Sequence, residues 1–318
     1  MNTVSLKKRV AAIPPAIWLI LVMVAFYGSN TKNYFSMSNF LNIVVQASPL
    51  FVVACGQTII VLMQGTDLSL GASLNMMTVV WVVLMQKSLP LGAALAIAIA
   101  CSTLAGLLNG VIVAKMKLPP FIATLGMQNI LNSIALVTSD GSSVYFQHTI
   151  YKTISKGMAL GIPYIVWIAI ACFLLTFALL KYTRFGARVV SMGGNPESLK
   201  VAGYSIDTAT IQAFTYTGFM TAVAGFLLAC RVESGNPIVG NGFEFNSVAA
   251  VLLGGTSMRE GRGGVAGTVF GVLLIQILKS GLVMMNVSSI YQTAIIGVVV
   301  LFAIVLDAYI KRRQEARL

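Results

Sequence analysis

Two sets of uncharged hydrogen-bonding side chains stand inside otherwise apolar stretches of this chain. Gln46, Gln57 and Gln64 lie at intervals of 11 and 7, and at about 100° per helical residue they project onto one stripe. Thr124, Gln128 and Asn132 follow one another at intervals of four, with Asn129 beside them. Amides in a hydrocarbon setting need partners. Taken singly they suit interhelical glue, worth roughly 0.6 kcal/mol each. Taken together, two stripes favour a polar path for a neutral, hydroxyl-rich solute, which needs donors and acceptors without charge. Asp67 is the acidic group closest to these stretches. It could relay a proton or sodium ion. Its setting, Thr66-Asp67-Leu68-Ser69, favours a structural role instead, capping the helix that follows, where the helix dipole welcomes a carboxylate.

Bond-making chemistry finds no support. The sequence has no Ser/His/Asp grouping, no Cys/His pair and no metal-ligand spacing, and its one histidine, His148, reads as a surface residue. Cys55, Cys101, Cys172 and Cys230 all fall in apolar stretches without paired spacing, and read as buried thiols. No G-x-x-x-x-G-K-[ST] loop occurs, and Gly261 is followed by Arg262 with no hydroxyl residue after it. The chain therefore needs no catalytic residue, metal or cofactor of its own, and an intramembrane enzyme is disfavoured.

One polar stretch is shaped to be gripped. In Asn195-Pro196-Glu197-Ser198-Leu199-Lys200-Val201-Ala202-Gly203, Asn195 is a good N-cap, Pro196 suits the first helical position and Gly203 is a favoured stop. A rigid helix on a basic loop of a lipid-soluble protein makes sense as a handle for a soluble partner.

The elements that position these residues follow from composition. Hydrophobic residues make up 57% of the 318 and charged residues 9%, against roughly 25% charged in an average soluble domain. Ten apolar runs, at about 12–28, 39–63, 67–86, 90–114, 119–138, 162–181, 207–230, 246–258, 264–284 and 290–310, predict an all-α polytopic membrane protein of about ten spans in a single domain over 1–318. Lys7, Lys8 and Arg9 precede an uncleaved first span. With both termini cytoplasmic, the outer segments hold only Lys32, Lys87, Lys152, Lys156 and Arg231 of the 21 basic residues, a strong positive-inside bias. The net charge of +12 then reflects topology and attraction to anionic lipids, not nucleic acid. Residues 182–206 form the large inner loop, and 139–161 and 231–245 the outer ones. The eighth run is short enough to be a broken or re-entrant helix, and the seven residues Gly65–Gly71 are too few for an ordinary loop. Lys279, near the outer end of its span, is expected to snorkel. Gly263, Gly267 and Gly271 recur every four residues and predict close helix packing, and Gly255 and Gly71 are further structural glycines. Val61–Thr66 faintly echoes Val251–Thr256, a pattern that an internal repeat would produce.

Three blocks give the sequence a family resemblance. They are Gly65-Thr66-Asp67-Leu68-Ser69-Leu70-Gly71, then Arg184-Phe185-Gly186 with Gly193-Gly194-Asn195 and Gly203, then Leu253-Gly254-Gly255-Thr256-Ser257 with Gly263, Gly267 and Thr268. These resemble the permease subunits of ribose-type ABC importers, within the branched-chain amino acid/ribose permease superfamily. The chain departs from the family pattern at Gln64 and Thr66, where Gly and Ile are expected, at Met258-Arg259-Glu260, where a less charged segment is expected, and at Lys279, where a neutral polar residue is expected. The resemblance implies a ten-span inner-membrane permease for a monosaccharide. Its implied partners are a cytoplasmic ATP-binding subunit holding ATP and Mg, an extracytoplasmic sugar-binding protein and a second permease copy or paralogue. It further implies that residues 195–203 form a coupling helix flanked by Arg184, Arg188, Arg259 and Arg262. A nucleoside or branched-chain amino acid is the alternative cargo, and an ion-coupled secondary transporter working through Asp67 the alternative mechanism.

Overall fold

A computed structural model describes residues 15–315 except 195, 202 and 259. Among the described residues the chain forms thirteen helices. They are α1 (Pro15–Asn30), α2 (Met37–Leu62), α3 (Leu70–Gln86), α4 (Leu91–Lys115), α5 (Pro120–Thr138), α6 (Thr149–Lys156), α7 (Tyr164–Tyr182), α8 (Arg184–Gly194), α9 (Pro196–Val201), α10 (Ile206–Val232), α11 (Phe243–Leu253), α12 (Val265–Met284) and α13 (Ser289–Glu315). The departure from all-α is one antiparallel hairpin, β1 (Met158–Ala159) and β2 (Ile162–Pro163), turning through Leu160 and Gly161, both at positive φ.

Six helices, α2, α4, α5, α7, α10 and α12, are long and apolar enough to cross a membrane, and α1, α3, α11 and the first part of α13 are shorter apolar helices. α2 and α10 are buried along most of their length, whereas α4, α5 and α7 turn most of their residues outward. The outward residues include Leu104, Leu108, Phe121, Ile130 and Leu174. So broad an apolar exterior is costly in water and costless in lipid. The chain is a helical, multi-span membrane protein.

Small residues set the closest packing. α4 and α10 share the most extensive pairing; a methyl group at Gly106 would strike the Phe214 carbonyl and lie 2.9 Å from the Cα of Gly218. α11 and α12 touch in the same way. A methyl at Gly267 would strike the Gly254 carbonyl, and one at Gly271 the carbonyl of Ala250. Gly263 is not part of that ridge. It precedes the helix at φ +135°, with Thr256 against it. Gly255, at φ +86° with open space around it, makes the turn that ends α11.

Two helices are broken short of a full crossing. α11 has 11 residues, about 16 Å of rise against a hydrocarbon core of about 30 Å. α3 starts only after residues 63–69, a turn and an irregular stretch that follow α2. The first turns of α3 and α11 meet: a Cβ on Gly71 would occupy the place of the Glu244 carboxylate and come within 2.6 Å of the Gly240 carbonyl. Glycine at 71 is therefore what lets the two helix starts approach. α2 and α11 both end in the same 6→1 cap, with Gly65 N donating to Ile60 O and Thr256 N to Val251 O. This register pairs Gln64 with Gly255, one residue off the sequence echo, and the same cap closes α3 through Leu89 N and Leu84 O. The echo is thus a shared way of stopping a helix.

Candidate functional site

Three places hold the residues that the sequence singles out. The first is the loop bearing α8 and α9. α9 buries Leu199 and exposes Pro196, Glu197 and Lys200. Lys200 Nζ lies 2.7 Å from Glu197 Oε1, a pair set by the i,i+3 spacing of one helical turn. Gly203, at φ +79°, ends α9, with Gly203 N donating to Lys200 O and Tyr204 N to Leu199 O. Arg184 opens α8 and is exposed; Arg188 stacks its guanidinium over Tyr204 with 4.9 Å to the ring centroid, locking α8 to the turn after α9. Ser198 lies within α9, while Asn195 and Arg259 lie outside the described residues.

This loop is wedged against the transmembrane helices. Gly193, near the end of α8, sits so close to α2 that a side chain there would strike the Leu62 carbonyl, and its position is 2.7 Å from the Cα of Gly261. Gln64, held at φ +63°, donates from Nε2 to the Gly193 carbonyl at 2.8 Å. One backbone contact therefore joins the end of α2, the end of α8 and the 254–264 loop. The third member of the glutamine stripe thus lies at the loop face. On the same face Lys115 and Lys117 both reach Asp207, at 3.2 and 2.6 Å, tying the α4–α5 turn to the start of α10.

The second place is the break between α2 and α3. Asp67 is buried, and its Oδ1 accepts from Ser69 N at 2.8 Å and Ser69 Oγ at 2.6 Å; Ser69 Oγ accepts in turn from Asn109 Nδ2 at 2.9 Å. Ser69 is the N-cap residue of α3, so the carboxylate braces the residue that opens the helix. Thr124 Oγ1 accepts from Leu68 N at 3.1 Å. Further along, Asn75 Nδ2 donates to Asn132 Oδ1 and Asn241 Oδ1, at 3.2 and 2.8 Å, while Asn75 Oδ1 accepts from Gly240 N at 2.7 Å. Thr124 therefore joins α5 to the segment before α3, and Asn132 joins it to α3. Gln128 is half-buried, and Asn129 is exposed on the outward face, bonded back to its own helix at Leu125 O. Asn75 was not singled out from the sequence, although an asparagine inside Leu74-Asn75-Met76-Met77 signals a bonded polar centre.

The third place is a partly open cavity of about 530 Å³ lined by α2, α10, α11, α12 and α13, inside the size range of small-molecule sites. Gln46 lines it and accepts at Oε1 from Gln276 Nε2 at 2.9 Å, while its own Nε2 donates to Asn42. Asn241, Asn246, Gln292, Arg231 and Lys279 also line it. Lys279 is among the lining residues and is itself exposed, which leaves the snorkelling expectation standing. Gln57 is fully buried, and among the described residues its amide has no hydrogen-bond partner. The two polar stripes therefore do not face one another: Gln46 looks toward α12, and Asn132 toward α3. Arg231 lies about 38 Å along α10 from its start at Ile206, so the cavity is at the face opposite α8 and α9. His148 caps α6 there, accepting at Nδ1 from Ile150 N at 3.1 Å, and is exposed.

No solved structure matches the chain. A ribose import permease of Haemophilus influenzae is 32% identical over 299 residues, covering 93% of both chains. One from Escherichia coli is 34% identical over 292 residues, with 91% of each covered. A galactose/methyl galactoside import permease of Escherichia coli is 30% identical, over 93% of this chain and 94% of its own. The family model described as branched-chain amino acid transport system, permease component, matches residues 39–304. With that match over most of its length and relatives of 30–34% identity across more than nine-tenths of it, the chain belongs to this family of transport-system permease components.

Proposed function

We infer that this chain is the membrane-spanning, non-catalytic subunit of an ATP-driven ABC importer that carries a ribose-like monosaccharide across the bacterial cytoplasmic membrane. In this reading residues 1–318 form one permease domain whose ten apolar helices cross or enter the bilayer. Both termini and loop 182–206 are cytoplasmic, and 139–161 and 231–245 are external. Hydrolysis of ATP with Mg belongs to a separate cytoplasmic subunit; an external sugar-binding protein delivers the solute, and a second permease copy or paralogue completes the complex. The sugar cargo is drawn from the relatives, which include ribose and galactose import permeases.

The observation that carries the reading is the backbone wedge of Gly193 between Leu62 and Gly261. A push on the exposed face of α9 passes to α8 through the Arg188–Tyr204 stack, and from Gly193 by backbone contact to the end of α2 and to the loop after α11. α2 carries Gln46 into the cavity, and α11 carries Asn246. Moving the loop therefore tilts two cavity walls, which is how a partner on one face can open or close a site on the other. In this scheme Gln46 lines the translocation path, Gln64 belongs to the coupling contact, and Thr124 and Asn132 brace α3. Asp67, Gly71, Gly255, Gly263, Gly267 and Gly271 shape the two breaks.

Glu197→Lys and Lys200→Glu test the reading. Each breaks the ion pair on the exposed face of α9, far from the cavity. Each variant should insert normally and lose ATP-dependent uptake of radiolabelled ribose. Normal uptake by both would refute the handle.

A further inference from the structure

We infer that the cavity between α10 and α12 is an oxyanion site, in which Arg231 and Lys279 hold a carboxylate or phosphate while the surrounding amides hold hydroxyl groups. This rests on the permease reading and specifies the cargo of that same cavity.

Both cations line one cavity of about 530 Å³, and no Asp or Glu lines it with them. Several basic side chains outside the cavity are held by acids of the chain. Lys115 and Lys117 share Asp207, Lys200 meets Glu197, and Arg262 lies 3.7 Å from Glu260. The acids nearest in sequence to the cavity are committed away from it. Glu233, two residues past Arg231, pairs with Lys156 at 3.5 Å. Glu244 accepts from Gly242 N at 3.1 Å and turns its other carboxylate oxygen toward Gly71. Among the described residues neither Arg231 nor Lys279 makes an ion pair or a hydrogen bond, although both line the same cavity. Lys279 is exposed and Arg231 half-buried, so two like charges face one cavity whose lining holds no acid, a setting that an anion completes.

The rest of the lining selects the company that the anion keeps. Gln46 and Gln276 are already paired at 2.9 Å, which leaves each an unused donor or acceptor for a hydroxyl. Asn246 and Gln292 add further neutral donors and acceptors. A sugar acid or sugar phosphate satisfies both halves of the site. The phosphate of an anionic lipid headgroup offers the same charge without the hydroxyl pattern.

The test uses the full chain in nanodiscs of phosphatidylcholine, followed by thermal shift with D-ribonate, D-ribose 5-phosphate and D-ribose. The anionic sugars should stabilise the protein, with apparent affinity at least tenfold weaker in Lys279→Gln and Arg231→Gln and restored in Lys279→Arg. Stabilisation by phosphatidylglycerol in the disc, lost in the same variants, with no response to the sugar anions, would keep the oxyanion site and assign it to lipid. Indifference of the wild-type protein to all three anions would overturn the inference. ATP-dependent uptake of ribose in cells, measured alongside, tests the permease reading by itself. Uptake without anion binding sinks only the inference, and anion binding without ATP-dependent uptake of any sugar sinks only the reading.

Discussion

The contact between α11 and α12 predicts a sharp difference between two otherwise similar glycine substitutions. Gly271 lies on α12 where an added methyl would run into the Ala250 carbonyl of α11, whereas Gly126, inside α5, has nothing within 4 Å of the same methyl. In Gly126→Ala only the intrinsic preference of alanine for a helix acts, a gain of up to about 1 kcal/mol. In Gly271→Ala the same gain is opposed by overpacking against backbone, which costs about 1–3 kcal/mol and cannot be relieved by a rotamer change. The α11–α12 pair must separate, and the contacts along the ridge through Gly267 and Gly254 are lost with it. The upper part of that range applies because the obstacle is a carbonyl, so Gly271→Ala should be destabilised by about 2 kcal/mol net. At roughly 2 °C per kcal/mol for a chain of this size, that lowers the midpoint by about 4 °C, while Gly126→Ala holds or rises slightly. Thermal unfolding of the purified variants in one detergent, followed by tryptophan fluorescence, measures both. Equal midpoints for the two variants would refute the backbone-contact argument.

Other substitutions test the remaining parts. Asn75→Leu strands the buried Gly240 N–H and two asparagine partners, and should cost about 2–3 kcal/mol. Asn132→Leu, which removes only the 3.2 Å member of that set, should cost less, and a reversed order in unfolding midpoints would count against the network. Asp67→Asn keeps an acceptor oxygen for Ser69 and should retain folding and ATP-dependent uptake, whereas Asp67→Leu should lose expression; uptake that becomes independent of ATP in Asp67→Asn would point to ion coupling. Gln64→Gly preserves the positive φ while removing the bond to Gly193, so thermal stability should stay near that of the parent while uptake falls, and full uptake would show that this bond does not transmit motion.

Much of the fold was legible because the bilayer simplifies the code. An apolar run of sufficient length must be a helix, and the ten runs read from the sequence match helix boundaries to within a few residues at most ends. The brevity of α11 was legible too, since 246–258 could not span. What escaped was long-range. No local pattern says that Gly71 makes room for Glu244, 173 positions later, because the glycine looks like any turn glycine until the other helix start arrives. The α4–α10 contact was missed for another reason: Gly106-Leu107-Leu108-Asn109-Gly110 carries a small-x-x-x-small signal as plain as the one on α12. The glutamine stripe shows the limit of helical projection. Gln46, Gln57 and Gln64 share a stripe only if the helix runs unbroken through all three, and α2 ends at Leu62. Gln64 then follows the cap geometry instead of the helical period, and its side chain turns to the loop. Likewise Arg231 and Lys279 look unrelated until α10 and α12 bring them to one cavity.

The central claim, that a partner working through α9 drives this permease, is tested most directly by purified chain in sealed lipid vesicles. Given radiolabelled ribose and only an imposed sodium or proton gradient, the vesicles should accumulate none, and accumulation should appear when the cognate ATPase, binding protein and ATP are supplied. Concentration of ribose by the chain alone under an ion gradient would contradict the account.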